Sequence, residues 1–328
     1  MRRLKWVVMA VLTILVFWAG MPDVASAKEA RIRIGAIKAI GTVVPFVAER
    51  LGYLDDKEID IQVTTFMDGP TVMQAFATGN IDIAYLGVAP SAIWWSKGMD
   101  LKVVASTNSG GHVLLTRADT GIKTLKDLKG RHVAVPSTGS VTDTIFRALM
   151  MKQVARLDPE RDLKLFPGMA GSDMPTALMV TREVEAIVTW EPFIAQAEEK
   201  YPDVLVLFDT TAYWRERHNG ENYPVNVVVA RGDFIRKNEK LLKQFLAIHK
   251  KTVDFINNSP VQANQIIAEE LNLSTNVVIR ARTRTDFTYK LDIPAMMIVL
   301  GFSKDLGYLK QLPDPEEFFA PSYLNDIL

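Results

Sequence analysis

The sequence predicts an α/β protein of two similar lobes, joined by a hinge that the chain crosses twice and separated by a cleft. Three observations lead there. Short apolar runs alternate with stretches whose apolar residues recur at helical spacing, once up to about residue 117 and again from 118 to 223. The pattern of helix, short turn and aliphatic–acidic–aliphatic occurs in both units, as Ala75…Ile81-Asp82-Ile83 and Ala177…Val184-Glu185-Ala186. The chain has 328 residues, 48% of them hydrophobic, which is enough for two cores without disulfides. The lobes are expected at 28–117 plus 224–328 and at 118–223, because the β-rich run Val225–Ala230 can return the chain to the first lobe. A hinge between two sheets makes a cleft that can close on a ligand.

Residues 1–27 read as a cleaved secretory signal. Met1-Arg2-Arg3-Leu4-Lys5 is basic, Trp6 to Met21 is apolar, and Ala25-Ser26-Ala27 offers the small-x-small cleavage pattern. Its removal takes away three basic residues and one acidic one, leaving a slightly acidic remainder of a chain whose formal net charge is +0. Arg31-Ile32-Arg33-Ile34-Gly35-Ala36 then alternates as a first strand, with Lys38 to Thr42 as its loop and Val44–Leu51 as a helix. Ile59 to Phe66 alternates as the second strand.

Asp68-Gly69-Pro70 is turn chemistry, with Pro70 where a helix can begin and Gly79 where one commonly stops. The apolar run ending in Tyr85-Leu86 reads as a buried parallel strand, and Gly87 to Ser91 turns it into the next helix. Ligands of open α/β sheets bind at such loops. Leu101–Ala105 is a strand ending in the polar loop Ser106–Gly111, and His112–Thr116 is a return strand.

The second unit repeats the theme with strand Arg131–Val135, loop Ser137-Thr138-Gly139-Ser140, helix Val141–Met151, helix Asp173–Val180 and strand Val184–Trp190. Beyond Asp233 the chain is mostly helical, over Asp233–Asn257, Pro260–Leu271, Ser274–Arg282 and Pro294–Leu309.

Composition excludes several functions. There is no basic excess to hold nucleic acid and no charged tail. With no cysteine there is no thiol nucleophile, thiolate metal site or disulfide. His112, His132, His218 and His249 lack metal-ligand spacing, and neither a G-x-S-x-G elbow nor a G-x-x-x-x-G-K loop occurs. The carboxylate pairs Asp55-Asp56 and Glu198-Glu199 are expected on exposed turns or helix ends. No catalytic residue, metal or cofactor is expected.

The wording Phe66-x-x-Gly69-Pro70, Ala75-Phe76-x-x-Gly79-x-Ile81-Asp82-Ile83-Ala84 and Gly87-x-x-Pro90 resembles the periplasmic substrate-binding proteins of ABC importers for aliphatic sulfonates, taurine and nitrate. Ile122-Lys123-Thr124-Leu125-Lys126-Asp127-Leu128-Lys129-Gly130, Gly139-Ser140 and Trp190-Glu191-Pro192 extend the resemblance, which covers most of residues 31–235. It implies the type II two-lobed binding-protein fold and a periplasmic monomer. Such a protein captures a small oxyanion and delivers it to a permease and its ATPase. In the second repeat Arg182 stands where that family usually has a helix-ending glycine, and Glu185 replaces its usual Asp. A receptor for a pyrimidine, thiamine precursor or other heterocycle is an alternative. An enzyme of thiamine-pyrimidine synthesis is a remoter one, since its cysteine-rich motif cannot exist here.

The candidate ligand-binding residues are Lys38, Gly41, Gly87, Val88, Ser91, Asn108, Ser137, Thr138, Gly139, Ser140, Trp190 and Glu191. Ser137 to Ser140 couple hydroxyl donors with a helix start that suits an anion; an ordinary N-cap would read the same. Gly87 to Ser91 presents the equivalent turn in the other lobe. Lys38 is the cation placed at a cleft loop, and Gly41 and Asn108 belong to the loops after the first and fourth strands. The resemblance puts the neighbourhood of Trp190-Glu191 at the cleft, whereas Trp94-Trp95 reads as packing. Arg282 and Arg284 read first as a surface basic run, with a reach inward from the C-terminal helices as the alternative.

Overall fold

The computed structural model describes residues 30–55, 59–66 and 69–327; the expected signal segment lies outside these residues. Eleven strands form two sheets among the described residues. The first contains β1 (Ala30–Ile37), β2 (Ile59–Phe66), β3 (Ile83–Gly87), β4 (Leu101–Gly110), β10 (Pro224–Arg231) and β11 (Thr285–Phe287), in the order β11-β4-β10-β3-β1-β2. The second contains β5 (His112–Arg117), β6 (His132–Ala134), β7 (Lys164–Phe166), β8 (Ala186–Trp190) and β9 (Val204–Asp209), in the order β7-β6-β8-β5-β9.

Apart from β11, the two sheets share one plan. β1 pairs parallel with β3 as β6 does with β8, and an antiparallel strand lies beside each pair, β10 in one sheet and β5 in the other. β4 and β9 flank those antiparallel strands. The repeated sequence pattern is the visible trace of this plan. In the first sheet Arg33 donates its backbone N–H to the Asp82 carboxylate at 3.0 Å, and Asp82 N–H returns to Arg33 O at 2.8 Å. In the second, His132 and Glu185 make the same two-way clasp, both bonds at 2.9 Å. Glu185 therefore does Asp82's work with one more methylene. Arg182 keeps the turn by adopting φ 58°, as Gly79 adopts φ 76°, at a cost of about 1–2 kcal/mol for a residue with a side chain.

The return strand differs from expectation: β5 hydrogen-bonds between β8 and β9, inside the second sheet. Sheet membership changes at Gly110-Gly111 rather than at residue 117. Both glycines have positive φ, 73° and 88°. A Cβ on Gly110 would lie 2.0 Å from Asn222 Nδ2, and one on Gly111 would lie 2.7 Å from Thr285 Oγ1. Only glycine lets the chain pass here so close to its second crossing, where Tyr223 O accepts from Gly110 N–H at 2.9 Å. That crossing enters β10, which returns to the first sheet between β3 and β4.

The helices are α1 (Val44–Arg50), α2 (Gly69–Ala77), α3 (Val88–Ser96), α4 (Val141–Thr144), α5 (Met174–Met179), α6 (Phe193–Lys200) and α7 (Thr210–Arg217), followed by α8 (Gly232–Lys237), α9 (Glu239–Asn258), α10 (Pro260–Leu271), α11 (Thr275–Arg284) and α12 (Ile293–Asp305); shorter turns are left unlabelled. α4 runs on as a π-helical stretch, Ile145–Ala155. The helix expected over Asp233–Asn257 is two, because Asn238 (φ −138°) interrupts it.

The C-terminal helices belong to both lobes. α11 packs on α6 of the second lobe and leads into β11 of the first sheet, while α12 lies on α3 and on α4 with its π-helical continuation. One apolar cluster consequently runs from Met73 and Ala92 through Ile145 and Phe146 to Val299 and Leu300. A second lies behind the first sheet around Ile34, Tyr85 and Leu246, and a third lies behind the second sheet around Leu115, Met174 and Ile187.

Candidate ligand cleft between the lobes

The loop that leaves β3 in the first sheet and the loop that leaves β6 in the second meet. A Cβ on Gly87 would come 2.9 Å from Val141 Cγ2, and a Cβ on Gly139 would come 3.0 Å from Ile93 Cδ1. Gly87 is the N-cap of α3, and Ser140 is the N-cap of α4. Gly87, Val88, Gly139 and Ser140 are thus brought to one seam, with Ile93 and Val141 forming its apolar surface.

Gly41 and Asn108 also come together, in the first lobe. Asn108 is buried, and its Oδ1 accepts from Asn226 Nδ2 at 2.8 Å. A Cβ on Gly41 would lie 2.3 Å from Asn226 Nδ2 and 2.7 Å from Asn108 Oδ1. Asn226 stands opposite Gly87 in the β10–β3 ladder. It was not singled out from sequence, because a lone Asn in a β-rich run carries no signal until the strand is known to enter the middle of a sheet.

Other candidates are engaged elsewhere. Lys38 reaches Glu270 on α10 at 3.4 Å and lies 5.3 Å from the centre of the Phe46 ring, so its charge is directed to the C-terminal helices. Ser91 Oγ donates to Gly87 O at 2.7 Å within its own helix. Ser137 and Thr138 are exposed. Trp190, partly buried, packs edge-on against Phe193 at 5.5 Å. Glu191 is buried and pairs with Arg284 at 3.1 Å.

At the loop of the second lobe the backbone donors of Gly139, Ser140 and Asp143 are already in use. Ser140 Oγ accepts from Asp143 N–H at 3.2 Å, and Ser140 N–H donates to Ser137 O at 3.1 Å. Gly139 N–H donates to Asp143 Oδ2 at 3.0 Å. Asp143 has no solvent exposure; it also accepts from Arg147 Nε at 2.5 Å and from the Tyr308 hydroxyl at 2.6 Å. Burial, followed by the bond to Asp143, pushes the Tyr308 hydroxyl well above its usual range, so it remains a donor. Burial opposes the charge of Arg147, and its bond to Asp143 more than restores it. An Asp-x-x-x-Arg spacing sets the two side chains one helical turn apart; nothing in the sequence marks their burial.

Arg282 and Arg284 are not a surface basic run. Arg282 donates to Asn264 Oδ1 and Ile256 O, at 2.5 and 2.9 Å. Arg284 binds Glu198 at 2.6 Å and Asp209 and Glu191 at 3.1 Å each, which also removes Glu198 from the exposed pairs. Among the described residues no group of three His, Asp or Glu side chains is placed to hold a metal ion, and no helix is long and apolar enough to cross a membrane.

The model of the NMT1-like family matches residues 25–272. A protein of Brucella abortus (strain 2308), named provisionally as a binding protein, is 25% identical over 314 residues, which cover 92% of this chain and 94% of that one. Among solved structures, the periplasmic aliphatic sulphonate binding protein SsuA from Escherichia coli is 21% identical with a TM-score of 0.73, over 89% of this chain and 92% of that one. The ligand-binding component of an ABC-type import system from Staphylococcus aureus, with zinc bound, is 18% identical with a TM-score of 0.78, over 91% of this chain and 99% of that one. The shared fold is that of the two-lobed binding proteins.

Proposed function

The chain belongs to the NMT1-like family, and from that premise we propose that it is the solute-binding component of an ABC importer. It works in the periplasm as a monomer, closes its lobes on a small organic solute and delivers that solute unchanged to a permease and its ATPase. The observation that carries this reading is the meeting of two strand-to-helix loops, one from each sheet, Gly87–Ser91 and Ser137–Ser140, at one seam. A solute held there touches both lobes, so its binding energy favours the closed arrangement. The names of the relatives support the same role and make aliphatic sulfonates the first solutes to try; taurine and nitrate enter only through the resemblance read from the sequence.

A second reading, an uncharged heterocycle such as a pyrimidine, is favoured by one specific observation. Lys38 and Gly139 N–H, two of the donors proposed for an oxyanion, already have partners within the chain. A thermal-shift panel of alkanesulfonates, taurine, nitrate and pyrimidines tests both, because a ligand of the folded state raises its melting temperature by mass action. Saturable stabilisation by one class, with the solute recovered chemically unchanged, is expected. A solute recovered altered would overturn the receptor reading.

A further inference from the structure

We infer that Asp143 is a specificity-determining residue. It occupies, from within the chain, the place an anion would take at the loop of the second lobe, and so restricts the cleft to organic solutes that turn an uncharged face to that lobe. Compact inorganic oxyanions, which present charge on every side, are excluded. The inference rests on the solute-receptor reading and names its ligand class.

Three features of the loop carry it. The backbone donors at Gly139, Ser140 and Asp143 all end on acceptors of the same loop, two of them on side chains, Asp143 Oδ2 and Ser140 Oγ. Asp143 is held from three directions, by Gly139, Arg147 and Tyr308, and has no exposure, so an incoming anion would have to displace a packed group. Among the described residues the one cation touching Asp143 is Arg147, itself buried and shared with Glu160, so its charge is already matched within the chain. What the seam offers instead is hydrocarbon: Ile93 over Gly139 and Val141 over Gly87. A charged oxygen placed there would lose its water and face a carboxylate. An alkyl chain or ring face would lose nothing. Tyr308 adds a constraint of its own, because its bond to Asp143 ties the C-terminal segment to this loop.

Asp143→Asn tests the inference, since the amide oxygen can still accept from Gly139 while the like charge is gone. Calorimetric titration of the wild-type protein and of Asp143→Asn with sodium nitrate, sodium sulfate, an alkanesulfonate series and pyrimidines is the experiment. Nitrate and sulfate are expected not to bind the wild type at millimolar concentration, and to gain roughly tenfold to a hundredfold in the variant. Unchanged oxyanion affinity in a folded Asp143→Asn would overturn the inference. Should the variant fail to fold, amide chemical shifts of Gly139 and Ser140 in the wild-type protein decide: none is expected to move saturably on adding nitrate or sulfate, and saturable movement would overturn it. Failure of the receptor reading looks different. There, no organic solute binds either protein, while the oxyanion gain in Asp143→Asn still stands or falls separately.

Discussion

Arg284 meets Glu191 at 3.1 Å, the cation coming from the end of α11 and the acid from the residue that follows β8. The same guanidinium holds Glu198 and Asp209, and Arg284 O accepts from the Thr211 hydroxyl and from Asn222. Glu191 N–H in turn donates to Gly111 O at 3.0 Å, at the first crossing between the sheets. One network thus joins the C-terminal segment, the end of a cleft strand and the hinge. It sets one cation against three acids. Burial pushes the Glu191 carboxyl up to about 7, against the pull of Arg284 and of the Ala195 N–H.

That shift has a sign that can be measured. The carboxyl releases its proton near 4.5 when unfolded and near 7 when folded. Between those values the folded state binds more protons, so stability falls as pH rises. Glu191→Gln carries no such titration. Its stability relative to wild type should improve by about 3 kcal/mol between pH 4 and pH 8. Chemical denaturation at the two pH values checks this; a difference independent of pH would contradict it.

Removing the cation should be worse than removing one acid. Arg284→Met leaves Glu191, Glu198 and Asp209 facing one another in a partly buried site, an expected loss of roughly 3–5 kcal/mol. Arg284→Lys should recover only part of it, because an ammonium cannot reproduce the planar fork that serves three carboxylates. Denaturation midpoints of the two variants at pH 8 give the comparison.

Acid should act through two buried histidines. Burial lowers His249 to about 4 and His112 to about 3. His249 Nδ1 pairs with the Tyr85 hydroxyl at 2.9 Å and Nε2 with Ser106 O at 2.8 Å, the pattern of a neutral ring. Both values lie below 6.5, so the unfolded chain takes up the protons first and stability falls as pH drops below 6.5. His249 alone should cost roughly 3 kcal/mol by pH 4. Ring-proton shifts should show these two residues still neutral at pH 5; titration near 6.5 would refute it.

Gly139→Ala probes the seam. Its φ is 82°, and the added carbon would meet Ile93 Cδ1 at 3.0 Å. The backbone alone should cost about 1–2 kcal/mol. The contact adds a component that Ile93→Ala relieves, so a double-mutant cycle of the two positions should show coupling. Strict additivity would mean that the seam opens freely in solution.

Much of the architecture could be read from the sequence, and the reasons are specific. The repeat at Asp82 and Glu185 was visible because each acid closes the same backbone clasp, and helix bounds such as Pro260–Leu271 were marked by their proline. β7 and β11, three residues each, were too short to show a period, and the edge strand β9 is an unbroken apolar run that alternates nothing. At the cleft, loop positions were legible and partners were not. Lys38, Ser140 and Arg284 have the chemistry of ligand-binding groups, yet what each one meets, Glu270, Asp143 N–H and three acids, lies on another element or in the next turn of the same one. Asp143 looks like an ordinary first-turn acid until its burial is known.

The borrowed antiparallel strands also fix an order of assembly during synthesis. All five strands of the second sheet lie within residues 112–209, so that sheet can complete itself as soon as this stretch has emerged. The first sheet cannot: β10 sits between β3 and β4 and comes last of the three, after the whole second sheet has been made. Until Pro224–Arg231 arrives, β3 and β4 have no strand between them and their facing edges stay open to wrong partners. The half of the molecule that is translated first is therefore the half that finishes last.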